Sequence, residues 1–329
     1  MGDEHTPVRL QRRVVSAAAL ACTLGLLALW AAWSAYRIAL IRTLPAYEHA
    51  SDIGLFYSES ATHYRYYRMI ADPVVPWRTI VGTLRHDTDI QYPEGIVVLR
   101  ELPFGMELFY GVLRRWFAAG VPAHIFLLHA IAIFIGLSLL VVFWMVRRLT
   151  GSSAWGLAGA TLYATVSWSF MRNVRGSFLY EDFAMPFLLG AIALWLPPGA
   201  GRRRAPLAEG LFAGVLAGCA AAFWHISQYP LALAAALLSL RVAFVEDERP
   251  ERLFSRGVLV GFAAAALAFP MLRAKVYLLS LPMAGIVVWA LAGLSGGPRP
   301  RRMPTRLALW ATSLAAVVAL FIWLNPRSK

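Results

Sequence analysis

Carboxylates are scarce in this chain of 329 residues, with 18 Asp and Glu against 31 Lys and Arg, so the places where they gather are informative. Glu59 and His63 stand four apart and share one face of any helix that holds both. A carboxylate so placed either takes a proton from a bound acceptor or serves as an ordinary helix partner of the imidazole. Tyr64, Tyr67 and Arg68 follow at once, with aromatic surface and a fork of donors. Tyr92, Pro93 and Glu94 form a turn-prone run that either shapes a groove or ends in a solvated acid. Arg172 and Arg175 precede Glu181 and Asp182 at the mouth of an apolar stretch, where carboxylates are costly unless paired or wet. The two arginines could clamp a phosphate, snorkel to an interface, or pair with those acids. Trp224, His225 and Gln228 lie between two apolar stretches. An aromatic belt accounts for Trp224 but not for Gln228, so an aromatic and amide pair facing a polar ligand is the alternative. His225 carries little weight.

The elements that position these residues are set by composition. With 59% hydrophobic and only 15% charged residues and a mean hydropathy of +0.59, the chain has more apolar surface than a soluble domain can hide. Soluble enzymes are excluded, and an all-α polytopic membrane protein is expected. Apolar stretches at 14–36, 123–146, 154–171, 183–198, 207–225, 228–245, 257–273, 276–294 and 307–324 read as nine spans. The net charge of +13 and pI near 10.3 then reflect topology and not nucleic acid. With the N-terminus in the cytoplasm, the inner segments carry fifteen Arg, from Arg9 to Arg306. The short outer ones carry six basic residues, Arg172, Arg175, Arg273, Lys275, Arg327 and Lys329. That bias places the N-terminus inside and the long 37–122 segment outside. The first apolar run exceeds a signal-peptide core and lacks a convincing cleavage site, so it reads as an anchor. Cys22 and Cys219 lie within spans and read as small core residues.

The 37–122 loop is rich in Tyr, Trp and Leu, so it is expected to fold against the outer membrane face. Glu59 to Ala71 reads as a helix with an aromatic face and with Arg65 and Arg68 on another, ended by Asp72-Pro73. Leu102 to Phe117 reads as a second helix, closing on Arg114-Arg115 in the manner of one lying in the interface. No Cys or His cluster with metal spacing, Ser-His-Asp order or phosphate-binding Gly loop is recognisable.

This plan resembles the GT-C glycosyltransferases, multispanning enzymes that take sugars from polyprenyl phosphate or pyrophosphate carriers. Four motifs are similar to those of the dumpy-family protein C-mannosyltransferases. Glu59 to Ile70 matches their acidic residue followed by a Tyr-x-Tyr-Tyr-basic run, and Asp87 to Glu94 resembles their Asn-Thr followed by Tyr-Pro-Glu. Tyr180 to Phe187 is similar to Arg-Glu-Ser-Phe-Ala-Leu-Pro-Phe, and Trp224 to Tyr229 to Trp-Gln-Phe-x-Gln-Phe. Oligosaccharyltransferase catalytic subunits are the nearest competitors through Arg172 to Phe178 and Glu181, but Leu179 stands where they place a metal-binding Asp.

The resemblance implies a cytoplasmic segment 1–13 and a GT-C-like transmembrane domain 14–329. It implies transfer of a hexose, mannose being expected, from a polyprenyl-phosphate carrier to an acceptor such as a protein tryptophan. Glu59 would be the catalytic base of a metal-independent inverting displacement. His63, Tyr64, Tyr67, Arg68, Tyr92, Glu94, Arg172, Arg175, Glu181, Trp224 and Gln228 would bind donor or acceptor. No cofactor, metal or nucleic acid is expected. The partners are the lipid-linked donor, a protein or peptide acceptor and membrane lipids. The family continues into a lumenal domain that this sequence, ending at Lys329, is expected to lack. The site would face outward, across a bacterial inner membrane given that only Lys275 and Lys329 are not Arg among the 31 basic residues, or into the endoplasmic reticulum of a eukaryote. An oligosaccharyltransferase-like or other GT-C transferase, a non-catalytic lipid-sugar-binding relative and, more weakly, a transporter are the competing readings.

Overall fold

The computed structural model describes residues 6–43, 47, 52, 56, 59–90, 94–166, 178–197, 205–244, 249–292 and 303–324. Among these, helix dominates, and an isolated antiparallel bridge joins Asp87 to Ile96. The first helix, α1 (Thr6–Arg42), is followed by a layer of short ones: α2 (Glu59–Ala71), α3 (Trp77–Arg85), α4 (Val98–Glu101) and α5 (Met106–Phe117). The bundle continues with α6 (Ala123–Ile135), α7 (Leu137–Thr150), α8 (Ser153–Thr165), α9 (Tyr180–Trp195) and α10 (Pro206–Phe223). It ends with α11 (Gln228–Phe244), α12 (Arg249–Ala268), α13 (Pro270–Ala274), α14 (Leu281–Ala292) and α15 (Met303–Leu324).

Among the described residues, four stretches are long and apolar enough to cross a membrane, namely Ala17–Arg42, Ala123–Thr150, Pro206–Phe223 and Leu307–Leu324. The other expected spans are occupied by α8, α9, α11, α12 and α14, which are shorter or, in α12, begin among charges. Their bounds also move: the stretch expected at 154–171 is helical over Ser153–Thr165, and that at 276–294 over Leu281–Ala292. The helix expected at 59–71 has those limits; Glu59 opens it at the positive end of the dipole, and Asp72 accepts from the Val74 N–H at 2.9 Å just beyond it. The helix expected from Leu102 begins only at Met106. Leu102 precedes Pro103 and is extended, with φ −105 and ψ 144, because the proline ring disfavours helical geometry in the residue before it.

Arg114 and Arg115 at the end of α5 do not reach outward. Buried Arg114 donates to the carbonyls of Ala71, Ala119 and Val121 at 2.7–3.2 Å. Arg115 donates to those of Ile70, Pro73 and Val75 at 3.0–3.3 Å and lies over the Trp77 ring. Both arginines therefore satisfy the carbonyls left open where α2 ends and weld α2 to α5.

The closest helix pair is α10 with α12. A Cβ added to Gly210 or Gly214 would meet the Phe254 or Val258 carbonyl oxygen at 2.2 or 2.3 Å, and one on Gly261 would meet that of Leu211 at 2.2 Å. Small residues spaced four apart on both helices let the backbones touch, which is how helices associate where lipid supplies no hydrophobic drive. Gly214→Ala is expected to cost about 1–3 kcal/mol by overpacking, read as a lower melting temperature in detergent. An unchanged melting temperature would mean that the helices can separate without loss.

The two ends of this bundle differ. Tyr67 of α2 donates to the Ala123 carbonyl at the start of α6 at 2.8 Å, and the Phe178 N–H before α9 donates to Ser60 Oγ at 3.1 Å. The Phe223 ring at the end of α10 fills the space over Gly105, and α13 packs on α4. All these helix ends, which the charge pattern assigns to one side, meet the α2–α5 layer together.

Candidate functional site

The site grows from α2. Its first turn carries Glu59, which is 59% exposed. One turn on, His63 is enclosed, with its Nδ1 hydrogen-bonded to Glu107 Oε1 of α5 and its Nε2 4.0 Å from Glu59 Oε1. The Tyr180 ring of α9 stands edge-on to the imidazole, with centroids 4.1 Å apart, and Phe178 closes a further side. Two helices, α2 and α5, thus bring an exposed carboxylate, a buried imidazole and a buried carboxylate together, and α9 walls the imidazole with an aromatic ring.

Burial pushes the His63 imidazole toward its neutral form, but hydrogen bonds and charge from Glu107 and Glu59 outweigh it and hold the pKa above the usual 6.5. The charged ring is therefore favoured in the folded protein more than in the unfolded one. Its stabilising contribution is complete below about pH 6.5 and is lost as the pH rises through the raised folded-state value. The melting temperature of wild type is thus expected to exceed that of His63→Gln most at acidic pH, with the gap narrowing on the alkaline side. A gap that widens with pH would contradict a protonated His63.

A second network joins the first two sequence motifs. Asp87 is buried, accepts from the Tyr66 hydroxyl at 2.9 Å, pairs with Arg65 at 3.1 Å and accepts from the Asp89 N–H at 3.0 Å. Its backbone exchanges two hydrogen bonds of 2.9 Å with Ile96, closing the loop that contains Tyr92 and Glu94. Gly95 turns that loop with φ +70, where an added Cβ would meet the Asp87 carbonyl at 2.8 Å. Arg65 also pairs with Asp89 at 2.8 Å.

The remaining candidates fall around these networks. Tyr64 stacks on Phe56 and donates to Asp52 at 2.9 Å, with which Arg68 pairs at 3.2 Å. Tyr64, Arg68, Asp52, Asp72 and His124 line a cleft of about 540 Å³. Tyr67 is fully buried and tied to α6. Glu94 is exposed. Glu181, half-buried in the first turn of α9, lies within electrostatic reach of Tyr180. Asp182 is buried and interacts with Arg37 of α1. Trp224 and Gln228 flank the 3-10 turn His225–Ser227, and Trp224 packs against the main core. Tyr92, Arg172 and Arg175 lie outside the described residues.

Reading by sequence missed Glu107, Ser60 and Arg37. Glu107 stands alone among apolar neighbours in Met106-Glu107-Leu108-Phe109-Tyr110. An acid at a position flanked by core residues on the same helix face was the available signal.

A protein-family model described as Dpy19, Q-cell neuroblast polarisation, matches residues 52–329. No curated protein matches the chain. The matched region begins at Asp52 and takes in α2, the Asp87 loop and the whole bundle from α6 onward.

Proposed function

Because this chain belongs to the Dpy19 family of GT-C-type C-mannosyltransferases, we propose that it transfers mannose from a polyprenyl-phosphate carrier to a tryptophan of a protein or peptide. Glu59 is the general base. Indole C2 attacks the anomeric carbon and the bond from that carbon to the phosphate oxygen breaks. The proton on C2 then passes to the Glu59 carboxylate, which restores the aromatic ring. One displacement turns a β-linked donor into an α-linked product.

The observation that carries this reading is the placement of Glu59. It is exposed on the first turn of a helix anchored on three sides, while the neighbouring His63 and Glu107 are enclosed. A base must reach its substrate, and rigid support holds it at productive geometry. Developing charge on the leaving phosphate needs fixed cations, a role we assign to Arg172 and Arg175. Tyr64, Arg68, Tyr92, Glu94, Glu181, Trp224 and Gln228 are assigned to donor and acceptor binding, whereas Tyr67 and His63, expected to share that role, are fully buried and support α2 from within. Transfer is metal-independent in this reading, supported by Leu179 at the N-cap of α9, where the metal-using relatives carry Asp. In this reading the chain crosses the membrane nine times with the α2–α5 layer and its site on the extracytoplasmic side. The positive-inside pattern supports the sidedness, and the four long apolar stretches among the described residues support membrane insertion.

The test is donor choice. Purified protein is offered polyprenyl-phosphate mannose, a polyprenyl-pyrophosphate oligosaccharide or a nucleotide-activated mannose, each with a Trp-x-x-Trp peptide, with and without a chelator. The expected result is transfer from the first donor alone, undiminished by chelator. Use of the pyrophosphate donor, or loss with chelator, would point to the oligosaccharyltransferase side. Saturable donor binding with no transfer would overturn the enzyme reading.

A further inference from the structure

Glu107 reaches no solvent, with its side chain 0% exposed, so it cannot touch donor or acceptor. It nevertheless holds the ring atom of His63 opposite to the one that faces Glu59, from a helix 44 residues along the chain. A buried carboxylate is costly unless a partner repays its lost hydration. Its Oε2 has no hydrogen-bond partner among the described residues, so the imidazole is the partner on which it depends. A carboxylate on one ring nitrogen fixes the tautomer and orientation of the other. Here that other nitrogen, Nε2, stands 4.0 Å from the Glu59 carboxylate.

We propose that Glu107 is a positioning residue for the transfer reaction, acting through His63 to keep an N–H directed at Glu59 and a positive charge beside it. This inference rests on Glu59 being the base. The groups facing His63 are Glu59 on its own helix, Glu107 on α5, and Tyr180 on α9, with Glu181 next to Tyr180. Three of these are acids, so a protonated ring offsets repulsion that would otherwise drive a proton onto Glu59. Steric support alone would not need this charge. The Tyr180 and Phe178 rings already enclose the imidazole.

Glu107→Gln keeps the shape and removes the charge. Turnover is expected to fall by about 10- to 100-fold with KM unchanged. The acid limb of the turnover profile is expected to move up by about one pH unit, because Glu59 loses a cation close by. His63→Gln is expected to shift the same limb, and adding Glu107→Gln to it should do no further harm, since both variants cut one chain of contacts. An acid limb that stays in place, or single losses that multiply in the double variant, would overturn the inference and leave Glu107 as a packing residue. If Glu107→Gln does not fold, His63→Gln reads the same limb alone, and an unmoved limb again overturns the proposal. Full activity of Glu59→Gln in the same assay would instead remove the base on which the inference rests, so the two failures are distinguishable.

Discussion

In the Glu59→Gln protein, mannose transfer is expected to fall by about 10²- to 10⁴-fold, the contribution of a positioned general base. The folded state should be almost untouched. Glu59 is 59% exposed and its imidazole neighbour keeps Glu107, so the substitution leaves no buried group stranded, and changes at exposed positions of this kind cost little. The loss should sit in turnover and not in KM, because an amide of the same shape still packs against the acceptor but accepts no proton. Activity within a few-fold of wild type, with donor and acceptor in excess, would contradict the assignment.

Asp87→Ala is expected to act through stability. It strands the Tyr66 hydroxyl, on a residue with 0% exposure, and takes away a charged partner of Arg65. An unsatisfied buried hydroxyl costs about 1–3 kcal/mol. The Arg65 share is smaller, since its side chain is 39% exposed and retains Asp89. A total loss of about 3 kcal/mol follows, visible as a lower melting temperature in detergent. The Asp87–Ile96 bridge is made by backbone atoms, so the loop carrying Tyr92 and Glu94 should loosen without being lost. Acceptor KM should therefore rise even where the protein remains folded. A stable variant with unchanged KM would show that the loop is held by other means.

The legible parts of the sequence were those governed by short-range rules. The helix from Glu59 to Ala71 follows from the Glu59 and His63 spacing, the tyrosine stripe and the Asp72-Pro73 stop, and its limits agree with the structure. The lipid-facing character follows from composition, and the family from four motifs. What the sequence did not disclose depends on neighbours distant along the chain. Glu107 meets His63 from 44 residues away, and the apolar run around it signals burial without disclosing that partner. Arg114 and Arg115 read as an interfacial basic end, yet they close the open carbonyls of another helix. Pairing with Arg172 or Arg175 was one of the roles open to Asp182; those arginines lie outside the described residues, and what the sequence did not suggest is its interaction with Arg37 on α1. The glycine contact between α10 and α12 is visible as small residues four apart only once the two helices are known to face each other.

The measurement that tests the account most directly is the bond made in the product. Purified protein is incubated with polyprenyl-phosphate mannose and a Trp-x-x-Trp peptide, and the linkage is read by fragmentation mass spectrometry and NMR. The account predicts a mannose joined carbon to carbon at indole C2 in the α configuration, formed by wild type and absent with Glu59→Gln. Mannose found on a hydroxyl or amide, or equal product from both proteins, would contradict it.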